Sequence, residues 1–287
     1  MNEEQDRAET LLAIKCMLIS SFFFSIMNLL VKSSGDLPVM QKAFFRNFVT
    51  VFFAAAILKK TGTKFYIPKG ARFSVFMRSL MGCFGIVFNF MALKGMLLSN
   101  STAIANTSPF FTLLFSHFMM KDDLSKRQLG IIVVAFLGSL LVAKPTADIV
   151  SSLPAIYAFI SAFTGGIAMA FLRKATVEKT NPNVIVFSFS AFSVLTMGPI
   201  VALNYAPMTA KQLCMLLGAG VAGCGGQVFV TKAYSHAPAS KVSMYTYAQI
   251  IFASIWTVIF YHTMPDALSF LGYALIVGMG CLLAKKK

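Results

Sequence analysis

The stretch MALKGMLLSNSTAIANTSPFF, residues 91–111, continues as TLLF to residue 115, and 141 positions on, residues 232–252 read KAYSHAPASKVSMYTYAQIIF. In each copy an apolar run ends soon after an Ala and a short turn of small and polar residues follows. A second apolar run then carries hydroxyls and amides where lipid would favour hydrocarbon. Ala92 aligns with Ala233, Ser99 with Ser240 and Phe111 with Phe252. After one extra residue the offset becomes 142, and Leu129, Gly130, Gly138, Leu140, Leu141 and Lys144 align with Leu271, Gly272, Gly280, Leu282, Leu283 and Lys286. A register kept through a whole three-helix unit predicts duplication. A polar stripe inside a membrane helix faces protein or a cavity rather than lipid.

Working outward, composition sets the class. The chain has 287 residues, 57% of them hydrophobic and only 12% charged, with 29 Phe and a mean hydropathy of +0.74, which is outside the range of a soluble domain. Continuous apolar runs of about 20 residues, the length that crosses a bilayer as helix, fall at 11–31, 39–58, 73–93, 99–119, 128–143, 153–172, 184–204, 213–233, 240–260 and 267–284. Outer-membrane barrels read instead as alternating segments half that long. The expected fold is therefore an all-α membrane protein of ten transmembrane helices. Ahead of the first run Glu3, Glu4, Asp6 and Glu9 mix with Arg7 and Lys15, with no basic start or small-residue cleavage site, so that run is expected to be a retained helix.

The net charge of +15 raises nucleic acid as a partner, and its distribution argues against one. With the N-terminus placed in the cytoplasm, all of the 25 Lys and Arg except Lys32, Lys42, Arg46, Lys94, Lys144 and Lys211 fall on the inner side, Arg78 among them. This is the positive-inside bias. It predicts a multi-pass protein of the plasma (inner) membrane with both termini cytoplasmic. The basic link from the second to the third span, residues 59–72, suits a loop lying on anionic headgroups. Cys16, Cys83, Cys214, Cys224 and Cys281 show no paired spacing for zinc or a disulfide framework. The run Gly218 to Gly226, GAGVAGCGG, lacks the Lys-Ser/Thr of a phosphate loop and reads as close helix packing. No metal or cofactor is expected.

Residues 146–152 form the natural seam, giving halves 1–147 and 148–287. Five spans per half is an odd number, so the second copy enters the membrane reversed, as an inverted-topology repeat of the kind recurrent in secondary transporters. The ten acidic residues, Glu3, Glu4, Asp6, Glu9, Asp36, Asp122, Asp123, Asp148, Glu178 and Asp266, all map to termini or loops. His117, His236 and His262 do not converge. A membrane enzyme would need such groups in the interior, and so would a carboxylate proton relay. An enzyme is not expected, and facilitated diffusion or exchange is favoured.

The expected solute-binding residues are polar or aromatic side chains within spans: Arg46, Asn89, Asn106, Ser108, Ser161, Gln227, Tyr245, Tyr247 and Gln249, with Asn28, Tyr157, Thr164 and Trp256 as weaker candidates. Amides and hydroxyls replace hydration around a polar solute, and Tyr and Trp give apolar walls. Each also has a structural alternative as an interhelical hydrogen bond or an interfacial anchor. Arg46 is open between snorkelling or a structural pairing and a substrate carboxylate. Asn106 and Ser108 align with Tyr247 and Gln249, so a site between the copies is expected to be asymmetric.

Arg46 in the second span, Arg78-Ser-Leu-Met-Gly82 in the third, Ala92-Leu-Lys-Gly-Met96, Pro109 within the fourth, Asp122-Asp123 before the fifth, and Gln128-Leu-Gly130 with Gly138 inside it together make a chain that resembles the EamA type of the drug/metabolite transporter superfamily. The resemblance covers nearly the whole chain. It implies two five-helix halves, cytoplasmic termini and a central pathway for small metabolites, often amino acids, worked by alternating access and more often in the export direction. Two departures stand out: the acid before the fifth helix is Asp rather than Glu, and its counterpart before the tenth helix is absent, the segment reading Tyr261-His-Thr-Met-Pro265 with Asp266 one position late. The expected function is secondary transport of a small polar metabolite, an amino acid or related solute, by an exporter or exchanger. The alternative is a non-transporting receptor or scaffold bundle. The expected partners are that solute and membrane lipid, and the oligomeric state is open, a homodimer included.

Overall fold

The computed structural model describes residues 3–121, 125–143, 153–262, 264 and 266–284. Its helices in chain order are α1 (Glu3–Ser33), α2 (Val39–Lys60), α3 (Arg72–Gly95), α4 (Leu98–Ala105), α5 (Ser108–Met120), α6 (Lys126–Ala143), α7 (Leu153–Val177), α8 (Pro182–Leu203), α9 (Ala210–His236), α10 (Ala239–Val242), α11 (Ala248–Tyr261) and α12 (Ala267–Ala284). Tight 3-10 turns at Lys69–Ala71 and Ser243–Tyr247 precede α3 and α11. No strand occurs among the described residues, and seven segments are long and apolar enough to cross a bilayer. Asp122, Asp123, Lys144, Pro145, the expected seam and the terminal lysines lie outside the described residues.

Two of the ten expected spans are not continuous helices. The span at 99–119 breaks into α4 and α5 at Asn106-Thr107, and the span at 240–260 into α10, the Ser243–Tyr247 turn and α11. Pro109 sits in the first turn of α5. It has no N–H to give the carbonyl four residues back, so a helix can begin but not continue there. The second break holds no proline; there the Thr246 hydroxyl donates to Ser243 O at 2.7 Å, a local bond that competes with the helical ladder. Both α5 and α11 end at a non-glycine residue in the left-handed region, Lys121 at φ 54° and His262 at φ 51°. Those two positions are again 141 apart.

Packing follows the same offset. The long α1 lies against α9 and α3 against α7, while α2 meets α8 and α6 meets α12. Between the first two pairs the same bond recurs: Ser20 Oγ donates to Gly226 O and Ser161 Oγ to Gly85 O, each at 2.8 Å. Donors and acceptors alike are 141 positions apart. At the helix ends Lys32 Nζ donates to Leu93 O at 3.0 Å and Arg173 Nη1 to Tyr234 O at 2.8 Å, once more at that offset. A cation on the last carbonyls of a helix satisfies both an orphan acceptor and the dipole. Gly138 lets α6 reach the backbone of α12, since a Cβ there would stand 3.0 Å from Gly272 O, the small-residue contact that drives helix association in lipid.

The starts of α6 and α12 correspond too. The Ser125 hydroxyl accepts from Gln128 N at 3.1 Å, and the Asp266 carboxylate accepts from Ser269 N at 3.0 Å. Asp266, read from sequence as a displaced marker, is thus the N-cap of its helix, in register with Ser125. Apolar clusters fill the two ends of the bundle. One, holding Met17, Val75, Leu172 and Tyr234, lies toward the α1 N-terminus, and the other, holding Met27, Leu93, Phe189 and Met197, lies toward its C-terminus. The polar cavity lies between them.

A central cavity with two buried arginines

Arg46 is the eighth of the 22 residues of α2 and is 1% exposed. Its Nε donates to Met27 Sδ at 3.4 Å, one terminal nitrogen to Asn47 Oδ1, and the other to Gly223 O at 3.2 Å. All three acceptors are neutral, and a thioether is a weak one. Snorkelling, one of the sequence alternatives, is excluded by this burial. A cation at mid-membrane costs about 2.5–3.5 kcal/mol on the insertion scale, so its retention calls for a role.

A second cation shares the site. Arg78 is also 1% exposed, and it lies in the cavity rather than with the inner-loop charges among which sequence counting put it. The reason is geometric: Arg72 opens α3, and six residues at 1.5 Å each carry Arg78 about 9 Å into the helix. Its guanidinium carbon is 4.3 Å from the centroid of the Phe189 ring, and that of Arg46 is 5.8 Å from the same centroid. Arg78 makes no hydrogen bond to a described residue, and its Nε is buried without a partner. Two glycines make room for the pair. A Cβ at Gly82 would strike the Arg78 guanidinium and the Phe189 ring, and one at Gly223 would strike Arg46 and stand 3.1 Å from Met27 Sδ. Gly82 and Gly223 are themselves 141 apart.

The cavity has a volume of about 170 Å³, room for a small solute where one water needs ~10–15 Å³ on the same measure. Of the expected site residues, Arg46, Asn89, Asn106, Ser108, Ser161, Gln227 and Gln249 line it. Asn89 Nδ2 donates to Asn28 Oδ1 at 3.1 Å, so Asn28 joins them. Asn106 and Ser108 sit at the break between α4 and α5, and Gln249 at the start of α11, which is why the two interrupted helices bring amides inward. The Ser161 hydroxyl is spent on Gly85 O, so its part is to tie α7 to α3.

Two expected residues are elsewhere. Tyr247 is fully buried against Ala103, Ile131, Ile250 and Ile276, in the core under α6 and α12, and Tyr245 packs between that core and the α1–α9 cluster. The physical reason is the 3-10 turn, which rotates Tyr245 and Tyr247 off the face that a continuous helix would present. Of the weaker candidates, Trp256 Nε1 donates to Ser25 Oγ at 3.0 Å, Tyr157 meets Phe88, and Thr164 bonds Ile160 O; none lines the cavity. The residue that sequence reading missed is Arg78. Its signal was an Arg inside an apolar run with a Gly four positions on, one helical turn away.

No Asp or Glu is among the described residues lining the cavity. The carboxylates are at the ends: Glu9 pairs with His236 where α1 and α9 meet, and Asp36 with Lys94 at 2.6 Å. That bond, together with the Lys94 charge, holds the Asp36 carboxyl below the usual carboxylate range. A larger hollow, about 330 Å³, lies among α2, α3 and α8, but it is walled by Val39, Met40, Val87 and Met91 and carries no charged side chain. Gln41 and Asn204 are its polar members, and of the two only the central cavity is lined by charged side chains.

Membrane-crossing helices around a polar, charged cavity for a small solute define a multi-pass membrane transport protein, and the comparisons agree. The chain matches the EamA-like transporter family twice, over residues 11–144 and 152–284. It belongs to that family, and it is a secondary transporter of small molecules. It is 30% identical to the pseudopaline exporter CntI of Pseudomonas aeruginosa over 94% of this chain and 95% of that one. It is 26% identical to human solute carrier family 35 member G1, covering 86% and 72%, and 22% identical to the S-adenosylmethionine uptake transporter of Rickettsia conorii, covering 83% and 80%. A solved crystal structure superposes with a TM-score of 0.77 at 17% identity, covering 97% of this chain and 99% of that one, a likeness of fold alone.

Proposed function

We propose that the protein exports or exchanges a small carboxylate-bearing polar metabolite, an amino acid or a related compound, across the plasma (inner) membrane. The observation that carries this reading is Arg46, buried to 1% exposure beside a polar cavity and held only by neutral acceptors. A carboxylate supplies the charge-assisted, bidentate partner that a guanidinium geometry fits. Asn28, Asn89, Asn106 and Gln249 then replace water around the rest of the solute. The export direction draws on the 30% identical relative named as an exporter.

Movement is read as alternating access between residues 1–147 and 148–287, two five-helix halves of opposite orientation. Support comes from the two family matches and from the Ser-to-Gly and cation-to-carbonyl bonds repeated at one offset. The Ser-to-Gly bonds tie the first helix of one half to the third of the other, and the cation-to-carbonyl bonds tie the first helix to the third within each half. The bias of Lys and Arg supports cytoplasmic termini. Exposed Phe52, Phe73, Phe118 and Phe270 suit a lipid-facing surface.

Purified protein in liposomes, screened against amino acids, nucleobases, polyamines and sulfonium metabolites, tests the reading. Carboxylated solutes are expected to move. Arg46→Gln is expected to lower their flux at least roughly tenfold, as for loss of one charge-assisted hydrogen bond, with helicity and melting retained. A folded Arg46→Gln protein with undiminished carboxylate flux would end the role of this residue.

A further inference from the structure

We propose that the cavity is a two-anion site, in which Arg46 and Arg78 each bind one carboxylate of a small dicarboxylate against the Phe189 ring. The proposal rests on the carboxylate reading above and sharpens it to a substrate class. Both guanidiniums are 1% exposed and approach one ring, at 5.8 and 4.3 Å. A guanidinium stays charged in a protein, so the empty site holds two like charges in a medium that screens them poorly. The groups that meet Arg46 are a thioether, an amide oxygen and a backbone carbonyl; Arg78 meets the Phe189 ring and leaves its Nε unbonded. No carboxylate is among the described residues that line the cavity. One monoanion leaves an uncompensated charge at mid-membrane, whereas a dianion leaves none.

The site is also built to hold both cations in place. Gly82 and Gly223, at matched positions in the two halves, are the residues whose Cβ would displace Arg78 and Arg46. Phe24, Met27, Ile86 and Met169 add apolar wall, which suits a hydrocarbon spacer between the two acidic groups. The charge balance has a transport consequence. The loaded cavity is neutral and the empty one carries both charges, so the loaded form reorients more readily and exchange of one dianion for another is the faster mode.

The test uses the wild-type protein in liposomes loaded with a graded series of α,ω-dicarboxylates, each compared with its monomethyl and dimethyl esters. At least one diacid is expected to exchange ten or more times faster than its monoester, with the diester inert. A monoester that moves as fast as its diacid, for every spacer, overturns the two-anion site while leaving the carboxylate reading intact. Movement of uncharged or cationic solutes with no carboxylate overturns both. Arg78→Gln is expected to cut the diacid-to-monoester ratio at least tenfold, and Arg78→Lys to restore part of it. An unchanged ratio in folded Arg78→Gln protein overturns the assignment of Arg78. Should the variants fail to fold, the ester series on the wild type still decides.

Discussion

The two halves agree in their backbone contacts and differ in their cavity chemistry. Ser20 and Ser161, Lys32 and Arg173, Gly82 and Gly223, and Ser125 and Asp266 are pairs at one offset that do the same work in each half. At that same offset the cavity's cations and several of its polar residues have no likeness: Arg46 corresponds to Phe187, Arg78 to Ala219, Asn106 to Tyr247 and Ser108 to Gln249. Repeated packing contacts make the two family-matched segments alike in backbone. Recognition of a solute is not bound to the repeat's symmetry, so it is free to diverge, and here both cations stand in the first half.

The comparison breaks first at the glycines. Gly82→Ala and Gly223→Ala each push a Cβ into an arginine, and into the Phe189 ring in the first case. Each is expected to lower carboxylate flux by roughly tenfold, the scale of one displaced charge-assisted bond, with helical content kept. Gly130→Ala, where a Cβ meets nothing within 4 Å, is the control. Wild-type flux in both cavity variants would show that the guanidinium positions do not matter.

A smaller effect sharpens the symmetry. Ser20→Ala and Ser161→Ala remove equivalent bonds, and each is expected to cost about 0.6 kcal/mol, the average for a polar contact between membrane helices. Melting in detergent reads both, and a difference above about 1 kcal/mol would deny their equivalence. The smallest effect separates Tyr247 from the site. Its hydroxyl is buried with no hydrogen-bond partner among the described residues, so Tyr247→Phe removes an uncompensated desolvation and leaves stability equal or higher by about 1 kcal/mol. Flux is expected to be unchanged; a clear loss of flux would put this side chain on the solute path.

Much of this was legible in the chain. Apolar length gave the all-helical membrane class, with seven segments among the described residues long and apolar enough to cross a bilayer; the 141-residue echo gave the correspondence of the two helix breaks, and seven of the nine expected site residues line the cavity. The breaks themselves were half legible. Pro109 stood in the sequence as a stop signal, whereas Ser243–Tyr247 has no such marker. Tyr245 and Tyr247 went astray for that reason, because a 3-10 turn changes which residues share a face. Arg78 was misread because charge counting assigns a cation to the nearest loop and takes no account of its depth in the helix.

By itself the sequence determined class and repetition: hydrophobic runs longer than any soluble helix requires, and a register that survives wherever the same backbone contact must be made twice. Only the tertiary structure decided which polar groups meet. Arg46 and Arg78 lie on different helices, and the ring that joins them, Phe189, belongs to a third in the other half. Nothing local in a chain encodes that convergence, because it depends on how α2, α3 and α8 cross.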